Sequence, residues 1–294
     1  MSNPLVSIVM PSFNQGGFIE RAIESIFSQD YGFVELIISD GGSTDQTVEL
    51  LEKLTAEHSR LHWTSGPDAG PANAINIALS RARGTVIGWL NSDDAYAPGA
   101  ISRTIEAFHS NPEWIMCYGN GGFIDENDVL IGTYPSQKPN VGLQGFKDGC
   151  FICQPTVFFK SSLLSLIGNL NEDFEASFDY DYWMRVFEKL SDRVGFIDEV
   201  QAYTRLHEST ITQNQRLTVA LEGVKLGWNF FGEGQLHWVR TYMDEIRPQY
   251  ISEGGFVAFE EHINDVLAGI EGMVPPSELQ QLRKTMKDLE QSFL

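Results

Sequence analysis

The sequence predicts an α/β protein with a mostly parallel central sheet flanked by helices, followed by a helical C-terminal extension. Three observations lead to this fold class. Short apolar runs alternate with segments of helical periodicity from Leu5 to Tyr118, the order that builds βαβ units. Polar clusters follow four of the apolar runs, as at the carboxyl edge of a parallel sheet. Beyond His207 the pattern is helical to the end of the chain.

The first predicted βαβ unit covers the first forty or so residues. Leu5 to Met10 is a short apolar run that Pro11 ends. A helix follows, because apolar residues recur three and four apart at Phe18, Ile19, Ala22, Ile23, Ile26 and Phe27. Val34 to Ser39 is the second strand, and it stops at Asp40 to Asp45, a turn with helix-capping residues.

The same alternation continues through three more strands. One face of the second helix carries Val48, Leu51 and Thr55. Leu61 to Ser65 is the third predicted strand, Ala72 to Ala82 a helix, and Thr85 to Leu90 the fourth strand. The next helix lies between Pro98 and Pro112, and Ile115 to Tyr118 is the fifth strand.

From about Gly119 the pattern changes, because glycines and polar turns interrupt short strands until Thr156 to Phe159. We then predict a helix from Tyr180 to Leu190 and two strands, Val194 to Ile197 and Gln201 to Leu206.

The last helix has Pro276 near its start, with Ser277 predicted as N-cap and Gln280 completing a capping box. Its apolar stripe is Leu279, Leu282, Met286, Leu289 and Phe293. The stripe covers about two heptads, so we expect it to pack on the parent domain instead of forming a free coiled coil.

Composition excludes several classes of function. Forty acidic residues against twenty basic ones give a formal charge of -20, which argues against binding to nucleic acid or to anionic lipid by charge alone. Hydrophobic residues make up 42% of the chain, enough for a sizeable core. No apolar run is long enough to span a bilayer.

The N-terminus and the cysteines point to a reducing compartment. The start has no basic segment before its first strand, so we expect no signal peptide. The three cysteines are an odd number. Cys150 and Cys153 have CxxC spacing but lack a second pair, so we expect buried structural thiols instead of a zinc site.

Polar residues follow four of the predicted strands. They are Pro11-Ser12-Phe13-Asn14, Asp40 with Ser43, Thr44 and Asp45, Asp68-Ala69-Gly70, and Asn91-Ser92-Asp93-Asp94. Together they would form a pocket rich in acceptors, which suit the N–H groups of a base and the hydroxyls of a sugar. Neither GxGxxG nor GxxxxGK[ST] is present, so phosphate would need a divalent cation.

The segment from Asn91 to Asp94 is the candidate cation site. Adjacent carboxylates repel each other unless a cation or water separates them. Carboxylate oxygens suit Mg²⁺ or Mn²⁺, which usually also bind substrate phosphates. The alternative is a solvated turn that caps the helix near Pro98.

Two later residues carry a choice of roles. Asp179 lies near a predicted helix start, where a carboxylate either caps backbone N–H groups or acts as a general base. His207 follows an apolar strand and is either a satisfied surface histidine or a metal ligand.

These segments, in this order, resemble the family 2 glycosyltransferases, which bind nucleotide sugars on a GT-A fold. The resemblance covers about the first 210 residues. It rests on "VSIVMPSFNQGGFIERAIESIFSQ", "ELIISDGGSTDQT", "DAGPANAINIALSRARGTVIGWLNSDD", "FDYDYWMRV" and "RLHESTIT".

The resemblance implies a role for individual residues. Asp179 matches the catalytic base, and the metal ligands are Asp93, the last acid of the DxD motif, and His207. The acceptor or supporting residues are Asp181, Trp183 and Gln154. The nucleotide-sugar contacts are Pro11, Ser12, Phe13, Asn14, Asp40, Ser43, Asp68, Gly70, Asn76, Asn91 and Ser92. The implied cofactor is Mn²⁺ or Mg²⁺.

Three positions depart from the family pattern. Asn91 replaces the first Asp of DxD, as in an "LNSDD" subset, and Ile75 stands where many members carry an Arg. Phe178 replaces the acid that commonly precedes the catalytic Asp.

The resemblance implies an inverting, metal-dependent transfer of a sugar from a nucleoside diphosphate donor, with a UDP-sugar favoured, to a hydroxyl of a glycan or lipid-linked acceptor. Residues 1–214 would form the GT-A domain, with a donor half (1–118) and an acceptor half (119–214), and 215–294 the helical extension. Polysaccharide biosynthesis is the expected setting. We expect a cytoplasmic protein, which a lipid-linked acceptor would bring to the inner membrane face as a peripheral protein.

Three alternatives stay open at this point. The first is a catalytically silent GT-A-like domain that only binds nucleotide or a partner. The second is a nucleotidyltransferase on a related fold, which should have a basic, glycine-rich loop where Pro11 to Gly17 stands. The third is an assembly subunit that forms a homo-oligomer through the C-terminal helices.

Overall fold

A computed structural model of the protein describes residues 3–208 and 210–293. The chain divides into two compact units, one ending at His207 and one beginning at Glu208. This division lies shortly before the predicted boundary at 214/215, and the functional division into donor and acceptor halves stays a prediction.

The first unit is an α/β structure built on a single sheet. Its strands are β1 (Val6–Ser12), β2 (Val34–Asp40), β3 (Leu61–Ser65), β4 (Val86–Trp89), β5 (Ala95–Tyr96), β6 (Met116–Ile124), β7 (Leu130–Thr133), β8 (Phe158–Lys160) and β9 (Val194–Arg205). Its helices are α1 (Ile19–Phe27), α2 (Thr47–Glu57), α3 (Pro71–Arg81), α4 (Ala100–Ser110), α5 (Ser162–Ile167) and α6 (Phe178–Leu190).

In the described part of the chain the nine strands follow the order β3-β2-β1-β4-β8-β6-β9-β5, and β7 pairs with β6. Parallel pairing joins β3, β2, β1 and β4 and also joins β6 to β9, and it accounts for most of the paired residues. Antiparallel pairing joins the remaining neighbours. The predicted mostly parallel sheet flanked by helices is confirmed.

The centre of the sheet follows from its apolar runs. Every residue of β2 and six of the seven residues of β1 are buried, as expected for parallel strands covered by helices on both faces. The apolar faces of α1 and α4 pack on them through residues such as Ile23, Ile26 and Ile101, which are all but inaccessible to solvent. Because the central strands are parallel and in register, their carboxyl ends lie at one edge of the sheet.

Several predicted elements differ from the observed ones. Val194–Arg205 is one strand instead of two, because β9 resumes its pairing with β6 after Asp198 and Glu199, which a register shift between Gly119 and Asn120 leaves out of the ladder. The strand predicted to end at Tyr118 runs on to Ile124 for the same reason. Neither the two-residue strand β5 nor helix α5 was predicted.

The second unit is helical. Its helices are α7 (Ile211–Asn214), α8 (Arg216–Phe231), α9 (His237–Glu253), α10 (Gly255–Gly269) and α11 (Pro276–Asp288). Residues Leu279, Leu282 and Met286 of the predicted stripe are buried in a core shared with α8, α9 and α10. The stripe is therefore part of a helical core.

The predicted N-cap at Ser277 is wrong. Helix α11 begins at Pro276, with Pro275 at the cap position, two residues before the predicted cap, and it has no side-chain capping hydrogen bond. Proline is well suited to the first helical position, because its fixed φ matches the helix and it has no N–H to leave unsatisfied.

Two other expectations concern the whole chain. Among the described residues, we find no helix that combines the length and the hydropathy required to cross a bilayer. The three cysteines are free thiols, with Cys117 and Cys153 buried and Cys150 partly exposed.

A buried carboxylate joins the central strands to the turn before β4. Glu35 is 1% exposed and accepts hydrogen bonds from the Ser7 hydroxyl (2.6 Å), the Arg83 N–H (2.9 Å) and the Arg83 guanidinium (2.9 Å). Burial by itself raises the pKa of Glu35, but these hydrogen bonds outweigh it and the pKa is lowered.

We predict that Glu35→Ala lowers the free energy of unfolding by about 2–3 kcal/mol, the usual worth of hydrogen bonds to a charged group. The exposed substitution Glu52→Ala should change it by less than about 0.5 kcal/mol. Urea unfolding at pH 7 measures both.

The pH dependence has a definite sign. Because the folded pKa of Glu35 is lowered, its contribution is complete above the unfolded pKa, about 4.3, and is lost as the pH falls through the folded pKa. The difference in stability between the wild type and Glu35→Ala should therefore shrink in acid. A difference that stays constant from pH 7 to pH 3 would contradict the assignment.

Candidate active site at the carboxyl edge of the sheet

The ends of β1, β2 and β3 lie side by side. Ser12 is paired with Asp40, and Asp40 is paired with Ser65. The buried Asp40 carboxylate accepts hydrogen bonds from the Ser43 N–H (2.9 Å), the Ser43 hydroxyl and the Ser65 hydroxyl (2.6 Å). These hydrogen bonds fix the conformation of the loop after β2 and join it to the end of β3.

The loops after β1 and β2 are held together by further hydrogen bonds. Asn14, at φ 52°, accepts from the Thr44 N–H (2.9 Å), and its own N–H donates to the Ser43 hydroxyl (2.7 Å). The Asp45 carboxylate accepts from the Gly16 N–H (2.9 Å) and the Thr47 N–H (3.0 Å). These bonds prearrange the first two predicted clusters as one surface.

The third cluster reaches this surface at Gly41. A Cβ on Gly41 would lie 2.9 Å from the Asp68 carboxylate and 3.4 Å from the Phe13 ring. Asp68 also accepts from the Gly70 N–H at 2.9 Å, and the Phe13 side chain is 59% exposed. The Phe13 ring and the Asp68 carboxylate thus lie close to each other beside the Gly41 backbone.

The amide of Asn76 is bound to another segment of the chain. Its amide donates to the Leu170 carbonyl (3.0 Å) and to the Glu172 carboxylate (2.7 Å), and its oxygen accepts from the Leu170 N–H (3.1 Å). Both ends of the amide therefore tie the segment before α6 to α3. The predicted ligand contact of Asn76 stays a prediction.

The fourth cluster brings together two residues that are far apart in sequence. The Asp93 carboxylate and the His207 Nε2 atom are 3.0 Å apart, with side-chain exposures of 15% and 2%. The Phe18 ring lies 4.5 Å from the His207 ring between centroids. Ser92, the residue before Asp93, is buried.

The neighbouring acid has a structural position. Asp94 is 2% exposed and accepts from the Arg205 N–H at 2.9 Å. Burial raises the pKa of Asp94, and the charge of Asp93 raises it further. The outer carboxylate, Asp93, is therefore the one placed for a ligand.

Arg205 is a functional candidate that the sequence analysis missed. Its fully buried guanidinium donates to the Asp93 carbonyl (2.7 Å) and the Asp125 carbonyl (2.8 Å) and pairs with the Asp128 carboxylate (2.6 Å). It also lies 5.3 Å from the centre of the Phe18 ring. An arginine within the predicted strand Gln201 to Leu206, two residues before His207, was the signal that could have identified it.

The donor set fits a divalent cation that is shared with a ligand. Two adjacent ligands on an octahedral ion with bonds of about 2.1 Å lie about 3.0 Å apart, close to the separation of the Asp93 oxygen and the His207 nitrogen. No group of three or more His, Cys, Asp or Glu side chains with metal-binding geometry occurs within residues 3–208 and 210–293. Asp93 and His207 would supply two ligands, and a bound phosphate group or water the others.

Helix α6 carries the predicted base. Asp179 is the second residue of the helix, half-buried, and accepts from the Tyr180 N–H at 2.7 Å. A carboxylate in the first turn of a helix is favoured by the helix dipole, so a capping contribution and a catalytic role are compatible here.

The predicted supporting residues lie behind the surface. Trp183 is fully buried and packs near Trp89, with ring centroids 6.2 Å apart. Asp181 is buried and bound to the Arg185 guanidinium at 2.8 Å. Burial raises the pKa of Asp181, and Arg185 offsets part of that increase.

Gln154 joins the neighbouring segments, since its amide donates to the Trp89 carbonyl (2.9 Å) and its oxygen accepts from Asn91 (3.1 Å). It lies in a 3₁₀ turn, Gln154–Thr156, and is partly exposed.

Comparison with known proteins decides the family. A family model described as Glycosyl transferase family 2 matches residues 7–165, more than half of the chain. The chain belongs to this family. The predicted family is therefore confirmed, whereas the "LNSDD" subset stays a prediction.

Two relatives agree with this family. The chain is 30% identical over 191 residues to a chondroitin synthase of Escherichia coli, covering 63% of this chain and 27% of that one. It thus spans about a quarter of that relative's length. It is 26% identical over 216 residues to an uncharacterized glycosyltransferase of Haemophilus influenzae, covering 73% of this chain and 84% of that protein.

Two solved structures share the fold. S. aureus TarS in complex with UDP-GlcNAc has a TM-score of 0.63 at 18% identity, covering 98% of this chain and 89% of that one. The mannosyltransferase PcManGT from Pyrobaculum calidifontis, in complex with GDP-Man and Mn²⁺, has a TM-score of 0.60 at 16% identity, covering 99% and 84%. The fold of this family member is the GT-A type, as predicted.

Arg205 generates a prediction about stability at this edge. Arg205→Lys keeps the charge but loses the planar fork that reaches three acceptors. We expect it to lower the free energy of unfolding by about 1.5–3 kcal/mol. The exposed substitution Arg240→Lys in the second unit is the matched control. If guanidinium chloride unfolding gives the same stability for both variants, Arg205 does not hold the site together.

Proposed function

We propose that this protein is an inverting, metal-dependent glycosyltransferase that moves a sugar from a nucleoside diphosphate donor, in the first place a UDP-sugar, to a hydroxyl of a glycan or lipid-linked acceptor. The observation that carries the proposal is the pairing of Asp93 with His207 beside the surface made by the strand-end loops. The TarS structures that share the fold contain UDP and UDP-GlcNAc. The relatedness to a chondroitin synthase supports a polysaccharide acceptor.

The base would bind where Phe13, Gly41 and Asp68 meet. The exposed Phe13 ring offers a face for stacking, which is worth about 1–3 kcal/mol per base. Asp68 offers an acceptor for an N–H or a ribose hydroxyl, and the missing side chain of Gly41 leaves room for close approach. Asp40 would act from behind, since its oxygens already hold Ser43 and Ser65.

The diphosphate would lie against Asp93 and His207. A cation bound there, Mn²⁺ or Mg²⁺, would neutralise the charge that develops on the leaving group. Asp93 provides a carboxylate oxygen, and His207 provides a ring nitrogen when its imidazole is neutral. The Phe18 ring and Arg205 hold the two residues in place from the protein side.

Asp179 would accept the proton of the acceptor hydroxyl as that oxygen attacks the anomeric carbon from the side opposite the diphosphate. One displacement of this kind inverts the configuration at that carbon. The partly exposed carboxylate of Asp179 can reach a ligand, whereas Asp181 is committed to Arg185.

The first prediction concerns the cation. Asp93→Ala should leave the fold intact and remove the dependence of donor binding on Mn²⁺, because one of two protein ligands is lost. Isothermal titration calorimetry with UDP-GlcNAc and with GDP-Man, with and without Mn²⁺, measures this. Asp265→Ala, which removes an exposed carboxylate in the second unit, is the control.

Binding of equal strength in the wild type and in Asp93→Ala, with and without metal, would refute the cation site. The two donors in the same experiment separate a preference for UDP from a preference for GDP.

The second prediction concerns the base. Asp179→Asn should lower the single-turnover rate by about 10²–10⁴-fold while donor affinity changes little, because a base acts in the chemical step. The exposed substitution Asp192→Asn near the end of the same helix should change neither.

A purely capping role for Asp179 predicts a different outcome. Activity would then fall only as far as stability falls, by about 1 kcal/mol. A folded Asp179→Asn protein with a near-normal rate would remove Asp179 as the base. Absence of any turnover by the wild type, with donor binding intact, would instead favour a silent GT-A-like binding domain.

A further inference from the structure

The amide of Asn91 makes three hydrogen bonds within the protein. Its oxygen accepts from the Trp89 indole N–H at 2.9 Å. Its nitrogen donates to the Asp94 carboxylate at 3.2 Å and to the Gln154 oxygen at 3.1 Å. One acceptor and two donors are therefore used without any ligand.

The first of these bonds leads to the helix that carries the proposed base. The Trp89 ring is stacked on Phe178 of α6, with centroids 5.7 Å apart and planes inclined by 22°. It also lies 6.2 Å from Trp183 of the same helix. Asn91 holds the indole by a hydrogen bond, and the indole packs on Phe178 in the first turn of α6. Asp179 is the next residue of that turn.

The other two bonds lead to the cation side and to the acceptor side. Asp94, which Asn91 holds, accepts from the Arg205 N–H at 2.9 Å, and Arg205 in turn binds the carbonyl of Asp93 at 2.7 Å. Gln154 binds the Trp89 carbonyl at 2.9 Å. Asn91 is the one residue of this group that contacts Trp89, Asp94 and Gln154 through side-chain bonds.

An aspartate at position 91 would not reproduce these contacts. In place of the donating nitrogen it would present an oxygen about 3 Å from the Asp94 carboxylate and from the Gln154 oxygen, two acceptors. Both contacts would become repulsive, and one of them involves a second carboxylate that is 2% exposed. An asparagine is the side chain of this shape that satisfies all three partners.

The departure from the family pattern at position 178 has a related cause. Phe178 is 6% exposed and lies against the Trp89 ring. An acid at this position would be buried without a partner on the aromatic face, which is costly. The neutral residues at positions 91 and 178 are therefore two parts of one arrangement around Trp89.

We propose that Asn91 is a positioning residue, which through Trp89, Asp94 and Gln154 sets the placement of Asp179 relative to Asp93 and His207, and which binds neither the cation nor the donor. This inference rests on the proposed function for the roles of Asp93, His207 and Asp179. It assigns the cation to a single carboxylate of the segment, Asp93, in place of the two acids of a DxD motif.

Asn91→Asp, which restores the acid of that motif, is the main test. We expect a single-turnover rate lower by about 10²-fold, the order of loss for a misplaced catalytic group, with donor affinity within about 3-fold of the wild type by the same reasoning. The Mn²⁺ concentration needed for half-maximal donor binding should not fall. Asn140→Asp, an exposed change of the same chemistry, is the matched control and should behave as the wild type.

A lower Mn²⁺ requirement in Asn91→Asp would overturn the proposal, because a restored cation ligand should strengthen metal binding. So would an unchanged rate, because the amide would then not position the base.

A double-mutant cycle tests the path through Trp89. Trp89→Phe removes the indole N–H and keeps an aromatic ring, and Asn91→Ala removes the acceptor. If the two residues act as a unit, the double variant should lose no more rate and no more unfolding free energy than the worse single variant. Additive losses in both quantities would contradict the linkage.

The stability arm of the cycle needs no substrate. A wild type that binds nucleotide sugars but never turns them over would refute the proposed function, whereas the coupling of the two residues in unfolding would still support or contradict the linkage.

Discussion

The proposed cation site depends on the buried guanidinium of Arg205. Asp93 lies just before β5 and His207 follows β9, and these two strands are paired, with Ala95 opposite Tyr203. Arg205 fixes the segment before β5 further, because its guanidinium binds the Asp93 carbonyl and its N–H binds the Asp94 carboxylate. A guanidinium without solvent contact needs a compensating charge, and the ion pair with the Asp128 carboxylate supplies it. Burial favours a raised pKa for Asp128, but the hydrogen bonds from Arg21 and Arg205 outweigh it, so the pKa is lowered and the carboxylate stays charged.

The chain builds a rigid edge from acidic loops although it carries twice as many acids as bases. Its solution is to give the inner carboxylates several donors each. Asp40 and Asp45 bind backbone N–H groups and hydroxyls of their own loops. Burial tends to raise the pKa of Asp45, yet the Thr47 and Gly16 hydrogen bonds lower it overall. The loops are therefore ordered before any ligand arrives, which reduces the entropy that binding must oppose.

The sequence predicted the sheet and the location of the site because both follow from short-range patterns. The run Leu61 to Ser65 is a strand with the predicted ends, and the polar clusters after β1 and β2 meet because parallel strands bring their ends together. What the sequence could not predict depends on distant partners. Val194–Arg205 stays one strand because β6 pairs with both ends of it, across register shifts that leave Asp198 and Glu199 out of the ladder. The role of Arg205 depends on the pairing of β9 with β5, which brings it beside Asp93, and Phe18 reaches His207 from the start of α1. The predicted cap of α11 was wrong because the sequence allows the helix to begin on either side of Ser277. The helix begins at Pro276, whose ring suits the first helical position.

The balance of charge at this edge supports a cation in place of a basic side chain. Position 75, where many family members carry an arginine, holds an isoleucine that is fully buried. Arg205 is the basic residue closest in sequence to His207. Its guanidinium is bound to the Asp93 and Asp125 carbonyls and to the Asp128 carboxylate. Ile75 carries no charge for a diphosphate, and Arg205 could contact one only by losing the bonds that hold this edge of the sheet together. A diphosphate that arrives among these carboxylates would be repelled by Asp93 unless a cation lies between them. The same carboxylate that would repel the donor alone would bind it through the cation, so the proposed donor binding depends on Asp93 more than on any other residue of this edge.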